Sequence, residues 1–213
     1  MKLFRYLTPE GKFDYEAYRR VQEDGNRRKL HTRWVHRHVI AFLAGWLKAN
    51  VDPLRFGLCH GTRRGDEQVW FRERMGIEVI GTEISPTAAD FPHTIQWDFH
   101  HTRPEWLEAV DFIYSNSYDH SYDPRTCFRA WAACLRVGGV MLLEHTDQHR
   151  SDSVSALDPF GAERDELVMM LNEFGAGEFT VREVIAEHDF QVADHLKELS
   201  FIVVEKLKPM GLG

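Results

Sequence analysis

Cysteine is scarce in this sequence: of 213 residues, only Cys59, Cys127 and Cys134 carry a thiol, and no two of them have a paired spacing. This argues against a disulfide framework and against a zinc site built from cysteine pairs. Long apolar runs are also missing. No stretch approaches the roughly 18 residues of a membrane span, and the first residues lack the apolar core of a signal peptide. We therefore expect a cytoplasmic protein that does not bind membranes and forms one well-buried domain.

Acidic residues are scarce in the first part of the chain. Residues 1–50 contain 11 of the 26 Lys and Arg residues but only 5 of the 33 Asp and Glu residues, whereas the whole chain has a formal net charge of −7. A basic segment can attract an anionic partner, or it can neutralise the acidic remainder of the chain by packing on it. Apolar and aromatic residues are interleaved through this segment, which favours packing, and we expect no nucleic-acid partner.

The most clearly patterned stretch covers residues 111–145, where the sequence predicts a strand, a polar loop, a helix and a second strand. The apolar runs DFIY and VMLL are typical of parallel strands buried on both faces. Asp123 can cap the helix, Pro124 suits its first turn, and Gly138-Gly139 is predicted to end it. The polar loop SNSYDH, residues 115–120, follows the first strand. Open α/β sheets bind their ligands at that end of a strand.

The remaining elements are predicted from periodicity and from turn residues. Helices are predicted from residue 14 onward with an interruption at Gly25-Asn26, and then at 30–48, 66–75 and 163–174. Strands are predicted at 55–59, 77–82, 93–97, 178–186 and 199–207, with a turn region between the last two. Residues 1–13 are predicted to be a loose start. Residues 145–162 are predicted to be a long polar loop of the kind that covers a binding site.

The order of these motifs resembles the class I S-adenosylmethionine (SAM)-dependent methyltransferases, and within them the small-molecule group that includes the quinone-biosynthesis enzymes. The resemblance rests on the Ser/Asn loop, Asp119-His120, Asp123-Pro124, Gly138-Gly139 and Glu144, in that order. It implies an α/β fold with a Rossmann-like, seven-stranded, mostly parallel sheet in an α/β/α sandwich, the last strand being antiparallel. It further implies an N-terminal helical cap over the cofactor, residues 1–50, followed by a SAM-binding domain, residues 51–213.

The resemblance implies SAM as the cofactor and assigns residues after three predicted strands to its binding. A glycine in the first turn lets the backbone approach the methionine part of SAM. Glu83 follows the second strand, where a carboxylate accepts ribose hydroxyls, and Asp98 and Phe99 take the adenine positions. The residues expected to bind the cofactor are Cys59, His60, Gly61, Thr62, Arg63, Glu83, Ile84, Asp98, Phe99, Ser115 and Asn116.

The first turn departs from the pattern of the family at three positions. Gly57 replaces the usual acidic residue, Cys59 replaces the first glycine, and Arg63 replaces the last glycine. These changes remove backbone contacts to the amino-acid end of the cofactor. We expect Arg63 or Arg64 to bind its carboxylate instead, since a guanidinium group suits a bidentate carboxylate.

The predicted reaction is methyl transfer from SAM to a small molecule, with oxygen as the expected acceptor atom. A hydroxyl acceptor needs a base, and the predicted catalytic residues are His120, Asp119 and His145, because their loops follow neighbouring strands. The expected acceptor is a sugar or another polyol, with a phenol or a carboxylate as alternatives. No metal site is expected, because the adjacent His100-His101 pair lacks the spacing of metal ligands.

Two other functions fit parts of the sequence. A nicotinamide-dependent oxidoreductase would also use Glu83 on a ribose, but it requires a G-x-G-x-x-G turn where this sequence offers only Gly61 between Cys59 and Arg64. A methyltransferase-like domain that binds without catalysis would be consistent with the altered glycine turn. The oligomeric state is not predicted.

Overall fold

The computed structural model describes residues 1–186 and 198–211. The helices in these ranges are α1 (Tyr15–Lys29), α2 (Arg37–Asn50), α3 (Asp66–Met75), α4 (Pro124–Cys134) and α5 (Arg164–Gly175). The strands are β1 (Lys2–Leu3), β2 (Phe56–His60), β3 (Glu78–Glu83), β4 (Thr94–Gln96), β5 (Val110–Ser115), β6 (Leu135–His145), β7 (Phe160–Gly161), β8 (Phe179–Ala186) and β9 (Ser200–Lys206). Short 3-10 turns join several of these elements.

A seven-stranded sheet in the order β4-β3-β2-β5-β6-β9-β8 organises the molecule. The strands from β4 to β6 are parallel to their neighbours, whereas β9 is antiparallel to both β6 and β8. The predicted seven-stranded, mostly parallel sheet with an antiparallel last strand is therefore confirmed. Because β2, β3 and β5 are parallel, their carboxyl ends lie along one edge of the sheet.

Helices cover both faces of this sheet, because side chains alternate between the two faces along each strand. On β5, Phe112 and Tyr114 pack with α2 and α3, whereas Ile113 packs with α4 and α5. Trp131 of α4 is among the largest fully buried side chains and is 1% exposed. The α/β/α sandwich is confirmed, and its two apolar layers hold the strand ends in fixed positions.

The predicted caps of α4 are correct at its start and wrong at its end. Asp123 accepts a hydrogen bond from the Thr126 backbone N–H at 3.1 Å, and Pro124 is the first helical residue. The helix ends at Cys134, before the Gly138-Gly139 pair that was predicted to end it. Those glycines lie within β6, where a Cβ on Gly139 would be 3.0 Å from the carbonyl oxygen of Val110. Gly139 therefore allows β6 to approach β5 closely.

Two helix predictions near the N-terminus are also corrected. α1 continues through Gly25-Asn26, where an interruption was predicted. A Cβ on Gly25 would lie 2.2 Å from a methyl carbon of Leu157, so this glycine makes room for a packed side chain. The second helix, predicted from residue 30, begins at Arg37, because His36 has an extended backbone conformation.

The N-terminal residues and the long polar stretch contain pairing that was not predicted. β1 and β7 form a separate two-stranded antiparallel sheet, in which Lys2 is opposite Gly161. Residues 1–13 are therefore not a loose start, and residues 145–162 are not wholly a loop. Phe160 is 1% exposed, so the end of the polar stretch belongs to the core. The predicted turn region between the last two strands lies outside the described residues.

α1 lies across the carboxyl ends of the strands. The Tyr15 hydroxyl donates a hydrogen bond to Asp98 at 2.8 Å, and the Tyr18 hydroxyl donates one to the His120 carbonyl at 3.1 Å. α2 packs against the sheet instead. The division of the chain at residue 50 stays a prediction. In the part of the chain that the structure describes, every helix is too short or too polar to cross a lipid bilayer.

Candidate functional site

Two cavities lie side by side at the carboxyl ends of the parallel strands. The first, which we name the Glu83 cleft, is lined by residues that include Glu83, Ile84, Asp98 and Phe99. The second, the Asp119 cavity, is lined by residues that include Asp119, Asn116, Thr62, Glu144 and His149. The residues that line both are Lys29, Gly61, Arg63, Ser117 and His120, so the two cavities are contiguous.

The turn after β2 brings the backbone close to this junction. Gly61 has a φ of +76°, and a Cβ at this position would lie 2.5 Å from the Cβ of Ser117. Both observations require glycine. Arg63 also has a left-handed backbone, with a φ of 42°. The position where the family has its last glycine thus keeps the glycine-like conformation, at a cost of about 1 kcal/mol for a residue with a side chain.

Glu83 lies at the end of β3, buried and facing the cleft. Its two carboxylate oxygens accept hydrogen bonds from the backbone N–H groups of Ser85 and Arg63, each at 3.0 Å. Burial raises the pKa of the Glu83 carboxyl, and the hydrogen bonds from Ser85 and Arg63 offset only part of that rise. The two backbone donors fix the orientation of the carboxylate while leaving each oxygen able to accept again.

Asp98 is held by two neighbours in the Glu83 cleft. Its Oδ1 accepts hydrogen bonds from the His100 backbone N–H at 2.9 Å and from His100 Nδ1 at 2.7 Å, and its Oδ2 accepts from the Tyr15 hydroxyl at 2.8 Å. Burial by itself raises the pKa of Asp98, but the hydrogen bonds and charge interaction with His100 and the hydrogen bond from Tyr15 together outweigh it, and the pKa lies below its usual value. His100 therefore orients Asp98.

Of the two neighbouring arginines, one lies at the junction of the cavities and the other lines only one of them. Arg63 lines both cavities, and the one hydrogen bond that its guanidinium makes among the described residues, to the Thr32 carbonyl, is long at 3.4 Å. Burial lowers the pKa of Arg63, and the carboxylates of Glu83 and Glu67 oppose that effect. Arg64 donates to the Leu30 carbonyl at 3.1 Å and lines only the Asp119 cavity.

His120 is oriented by a residue of α1. The Gln22 side-chain N–H donates to the Leu157 carbonyl at 2.8 Å, so the other amide atom, Oε1, is an acceptor. His120 Nδ1 lies 2.6 Å from this oxygen and must carry the proton. Nε2 is then the nitrogen with the lone pair. Asp119, the preceding residue, is 7% exposed, and its Oδ1 has no hydrogen-bond partner among the described residues.

His145 does not line the cavity in which it was expected. Its Nδ1 lies 2.6 Å from the Tyr118 hydroxyl, and its side chain borders a separate cavity with Arg150 and Glu163. Burial lowers the pKa of His145 to about 3. Successive residues of a strand point to opposite faces, so Glu144 faces the Asp119 cavity and His145 faces away.

Three predicted cofactor residues lie behind the cavity walls. Cys59 is wholly buried in the apolar layer shared with α2 and α3. The His60 ring is buried beside Trp131, with Nδ1 2.8 Å from the Thr82 hydroxyl. The Ser115 hydroxyl donates to the His60 carbonyl at 3.0 Å. These side chains support the turn, whereas Thr62, Ile84 and Asn116 line the cavities.

The chain has structural relatives but no detected sequence relatives. No family model matches it, and no curated protein matches it. It is similar to the structure of 1,6-didemethyltoxoflavin-N1-methyltransferase from Burkholderia thailandensis with 1,6-didemethyltoxoflavin and S-adenosylhomocysteine (SAH) bound, with a TM-score of 0.67, 15% identity, and coverage of 95% of this chain and 94% of that chain.

Two further structures are similar. The first is geranyl diphosphate C-methyltransferase from Streptomyces coelicolor A3(2), in complex with Mg²⁺, geranyl diphosphate and SAH (TM-score 0.58, 14% identity, 78% of this chain and 77% of that chain). The second is a sarcosine dimethylglycine methyltransferase homologue from Galdieria sulphuraria (TM-score 0.60, 14% identity, 81% and 87%). The chain has the class I SAM-dependent methyltransferase fold.

Several residues at the ligand-binding edge of this methyltransferase fold were not among the predicted site residues. They are Lys29, Glu67, Glu144 and Asp158. Glu67 is 6% exposed, and its Oε2 has no hydrogen-bond partner among the described residues. An acidic residue in the first turn of a helix is ordinary, so the sequence around Glu67 contained no signal of a site. Burial raises the pKa of Glu67 to about 8.

The buried carboxyl of Glu67 makes the stability of the ligand-free protein depend on pH. The folded protein favours the protonated form of Glu67, because burial raises its pKa to about 8. The stabilisation of the folded state by the protonated carboxyl is therefore fully present below the ordinary pKa of 4.5 and is lost as the pH rises through about 8. One pKa unit corresponds to about 1.4 kcal/mol, and we expect a net loss of about 2 kcal/mol because the site relaxes. Glu67→Gln should remove most of this loss. Urea unfolding of both proteins across this range measures it, and equal pH slopes would contradict the assignment.

Proposed function

We propose that the protein binds SAM and methylates a small-molecule acceptor at a hydroxyl oxygen. The observation that carries this proposal is the continuity of the Glu83 cleft with the Asp119 cavity at Gly61, Ser117 and His120. A cofactor in the cleft and an acceptor in the cavity would meet at this junction, as transfer between two bound molecules requires. Proteins of similar fold include an N-methyltransferase and a C-methyltransferase, each with SAH bound.

The Glu83 cleft fits the nucleoside part of SAM. Each oxygen of Glu83 accepts one backbone N–H and keeps capacity for a ribose hydroxyl. Ile84 and Phe99 offer apolar surface for the adenine ring. Both oxygens of Asp98 already accept hydrogen bonds, so the adenine amino group would use a remaining lone pair. The missing Cβ of Gly61 lets the turn after β2 lie against Ser117, and both residues line the cleft.

Arg63 fits the amino-acid end of SAM. Arg63 is half-buried at the junction, and within the described part of the chain its guanidinium makes only one long hydrogen bond, so it can pair with a carboxylate without breaking a strong contact. Charge-assisted and bidentate pairing of this kind is among the strongest hydrogen bonding available to a protein. Arg63 would thereby replace the backbone contacts that the altered glycine turn does not provide.

Proton removal from the acceptor is assigned to His120 or Asp119. SAM supplies an electrophilic methyl group, and the residues of this chain would bind, orient and deprotonate the acceptor. His120 Nε2 has a free lone pair because Nδ1–H is bound by Gln22. Asp119 faces the same cavity with an unpartnered oxygen. His145 lies outside this cavity and is not part of the proposal.

The walls of the Asp119 cavity favour a hydroxylated acceptor such as a sugar or another polyol. Many of the lining side chains can bond a hydroxyl group, among them Thr32, Asn116, Thr146, Gln148 and Ser153. Trp34, which is 38% exposed, adds an aromatic surface. An aromatic ring beside many polar groups suits a ring compound with several hydroxyls.

Calorimetric titration with SAH, SAM and NAD separates the proposed function from its two alternatives. We expect SAH and SAM to bind and NAD not to bind. Binding of NAD alone would support an oxidoreductase. Methyl-labelled SAM should then be incubated with a panel of glycosides, polyols, phenols and amines. Binding of SAH without label transfer to any of them would support a domain that binds without catalysis.

The ribose contact of Glu83 is tested by Glu83→Gln. We expect SAH binding to weaken by about 1–2 kcal/mol, because the ribose hydroxyls lose a charged acceptor. The affinities of the parent and the variant for adenosine and 2′-deoxyadenosine form a double-mutant cycle, which isolates the contact between Glu83 and the ribose 2′-hydroxyl. Parent protein should prefer adenosine, and the variant should discriminate less. If the variant prefers adenosine as strongly as the parent does, Glu83 does not bind the ribose.

A further inference from the structure

Three acceptor atoms converge on one wall of the Asp119 cavity. A carboxylate oxygen of Asp119, a ring nitrogen of His120 and a carboxylate oxygen of Asp158 all lie within 4.8 Å of one another. His120 Nε2 is 3.6 Å from Asp158 Oδ1. Two carboxylates brought this close repel each other unless a positive charge lies between them. A cation bound between the two carboxylates would relieve this repulsion.

The carboxylate of Asp119 gives the strongest indication that this cavity wall binds a ligand. It is 7% exposed, it lines the cavity, and its Oδ1 has no hydrogen-bond partner among residues 1–186 and 198–211. The nearest ring nitrogen, His149 Nε2, is 3.8 Å away and is bonded to the Asn116 carbonyl at 3.1 Å. A buried oxygen without a donor costs free energy unless a ligand binds it.

The hydrogen bond at Nδ1 of His120 leaves Nε2 available as a metal ligand. The Nδ1–H is bound by Gln22 Oε1 at 2.6 Å, and the amide of Gln22 is fixed by the Leu157 carbonyl. Metal-binding histidines characteristically donate their other ring N–H in this way, which sets the tautomer and the direction of the free lone pair. Nε2 of His120 therefore offers a lone pair on the side where Asp158 lies.

We propose that Asp119, His120 and Asp158 bind a divalent transition-metal ion, Mn²⁺ or Zn²⁺. Ligand atoms at about 2.0–2.2 Å from one ion are roughly 3–4 Å apart, so the three groups need only a small movement to coordinate it. One imidazole with two carboxylates suits these ions better than Mg²⁺ or Ca²⁺, which prefer oxygen ligands alone. The three residues come from the loop after β5 and from the segment before β7.

The ion would leave coordination positions open toward the cavity. Three protein ligands do not complete the coordination shell of either ion, and water or an oxygen of a bound molecule takes the rest. If the cavity holds the acceptor, a consequence that rests on the proposed function, its hydroxyl oxygens would coordinate the ion. With the ion bound, the Nε2 lone pair of His120 and the Asp119 carboxylate would be used in coordination, so these residues would orient the acceptor through the metal instead of removing its proton directly.

The test is direct metal binding without SAM or acceptor. Protein treated with EDTA and desalted is titrated with MnCl₂, with loss of the free Mn²⁺ paramagnetic resonance signal as the readout. Parallel calorimetric titrations use ZnCl₂ and MgCl₂. We expect about one Mn²⁺ or Zn²⁺ per chain and weaker binding of Mg²⁺. Asp158→Asn and Asp119→Asn should each lower the affinity at least tenfold, whereas Asp152→Asn, an exposed acid in the same segment, should not.

Variants of Gln22 distinguish a role in orienting His120 from a role in folding. Gln22→Ala should weaken metal binding by about 10–100-fold, because Nδ1–H loses its acceptor. Gln22→Glu should recover part of the affinity, because a carboxylate accepts from Nδ1–H but cannot donate to the Leu157 carbonyl as the amide does. Circular dichroism of each variant checks that it is folded. The proposal is overturned if the parent binds neither Mn²⁺ nor Zn²⁺, or if Asp158→Asn binds as the parent does. In either case the cluster does not hold a metal ion. SAH binding measured in EDTA tests the proposed function separately.

Discussion

Replacing Arg63 with glutamine is expected to weaken SAH binding by about 1.5–3 kcal/mol, the contribution of a hydrogen bond to a charged group. The reason is the position of the guanidinium, which lines both cavities and makes one long hydrogen bond to Thr32. The same substitution should leave binding of 5′-methylthioadenosine almost unchanged, since this compound has the nucleoside but no amino-acid carboxylate. Calorimetry with the two ligands measures the difference.

The matched control is Arg64→Gln. Arg64 is the neighbouring residue, but it lines only the Asp119 cavity and is bonded to the Leu30 carbonyl at 3.1 Å. We expect this variant to bind SAH nearly as the parent does. Equal losses for SAH and 5′-methylthioadenosine in Arg63→Gln would mean that the substitution disturbs the cleft as a whole. If both arginine variants bind SAH as the parent does, neither residue holds the carboxylate.

Gly61→Ala is expected to lower the free energy of unfolding by about 3 kcal/mol, combining backbone strain with overpacking. The glycine has a φ of +76°, and an added Cβ would lie 2.5 Å from the Cβ of Ser117. Relief of that contact requires movement of the loop after β5, which borders both cavities. SAH affinity should therefore fall together with stability. Urea unfolding and calorimetry measure the two effects.

Gly11→Ala is the control that separates backbone strain from the steric contact with Ser117. Gly11 has nearly the same backbone conformation, with a φ of +77°, but no atom of the described residues outside its own chain neighbours lies within 4 Å of an added Cβ. It should therefore lose only about 1 kcal/mol, the cost of the left-handed conformation. The difference between the two variants measures the close approach at Gly61. Similar losses in both would show that Ser117 moves freely and that the turn tolerates a side chain.

The predicted sheet was correct because its signals are local. The helix predicted at 66–75 begins and ends at those residues, and the predicted strands agree with β2 to β6, β8 and β9 to within a few residues except at the start of β6. Apolar runs, caps and turn residues act over a few positions, so a single sequence contains them. The Gly25 and Gly139 errors have one cause. Each glycine makes room for a residue that is distant in the chain, whereas the local sequence rules interpret a glycine as a helix breaker.

The candidate site was predicted less completely than the fold. Glu83, Asp98 and Asp119 could be proposed because each follows a strand, and each lines a cavity in the structure. The register between β5 and β6 decides which face of the sheet the His145 side chain points to. A shift of one residue would place Glu144 on that face and His145 on the opposite one. Asp158 lies in a polar stretch whose sequence has no periodicity to indicate which side chains turn inward.

The sequence by itself determined the order of the elements and the loops that follow the strands, because periodicity and caps are properties of neighbouring residues. Only the tertiary structure decided which polar groups meet. Gln22 reaches His120 because α1 lies across the strand ends, and Asp158 reaches the same histidine because β1 and β7 pair and anchor its segment. Such contacts join residues far apart in the chain, so they arise only when packed layers bring the residues together.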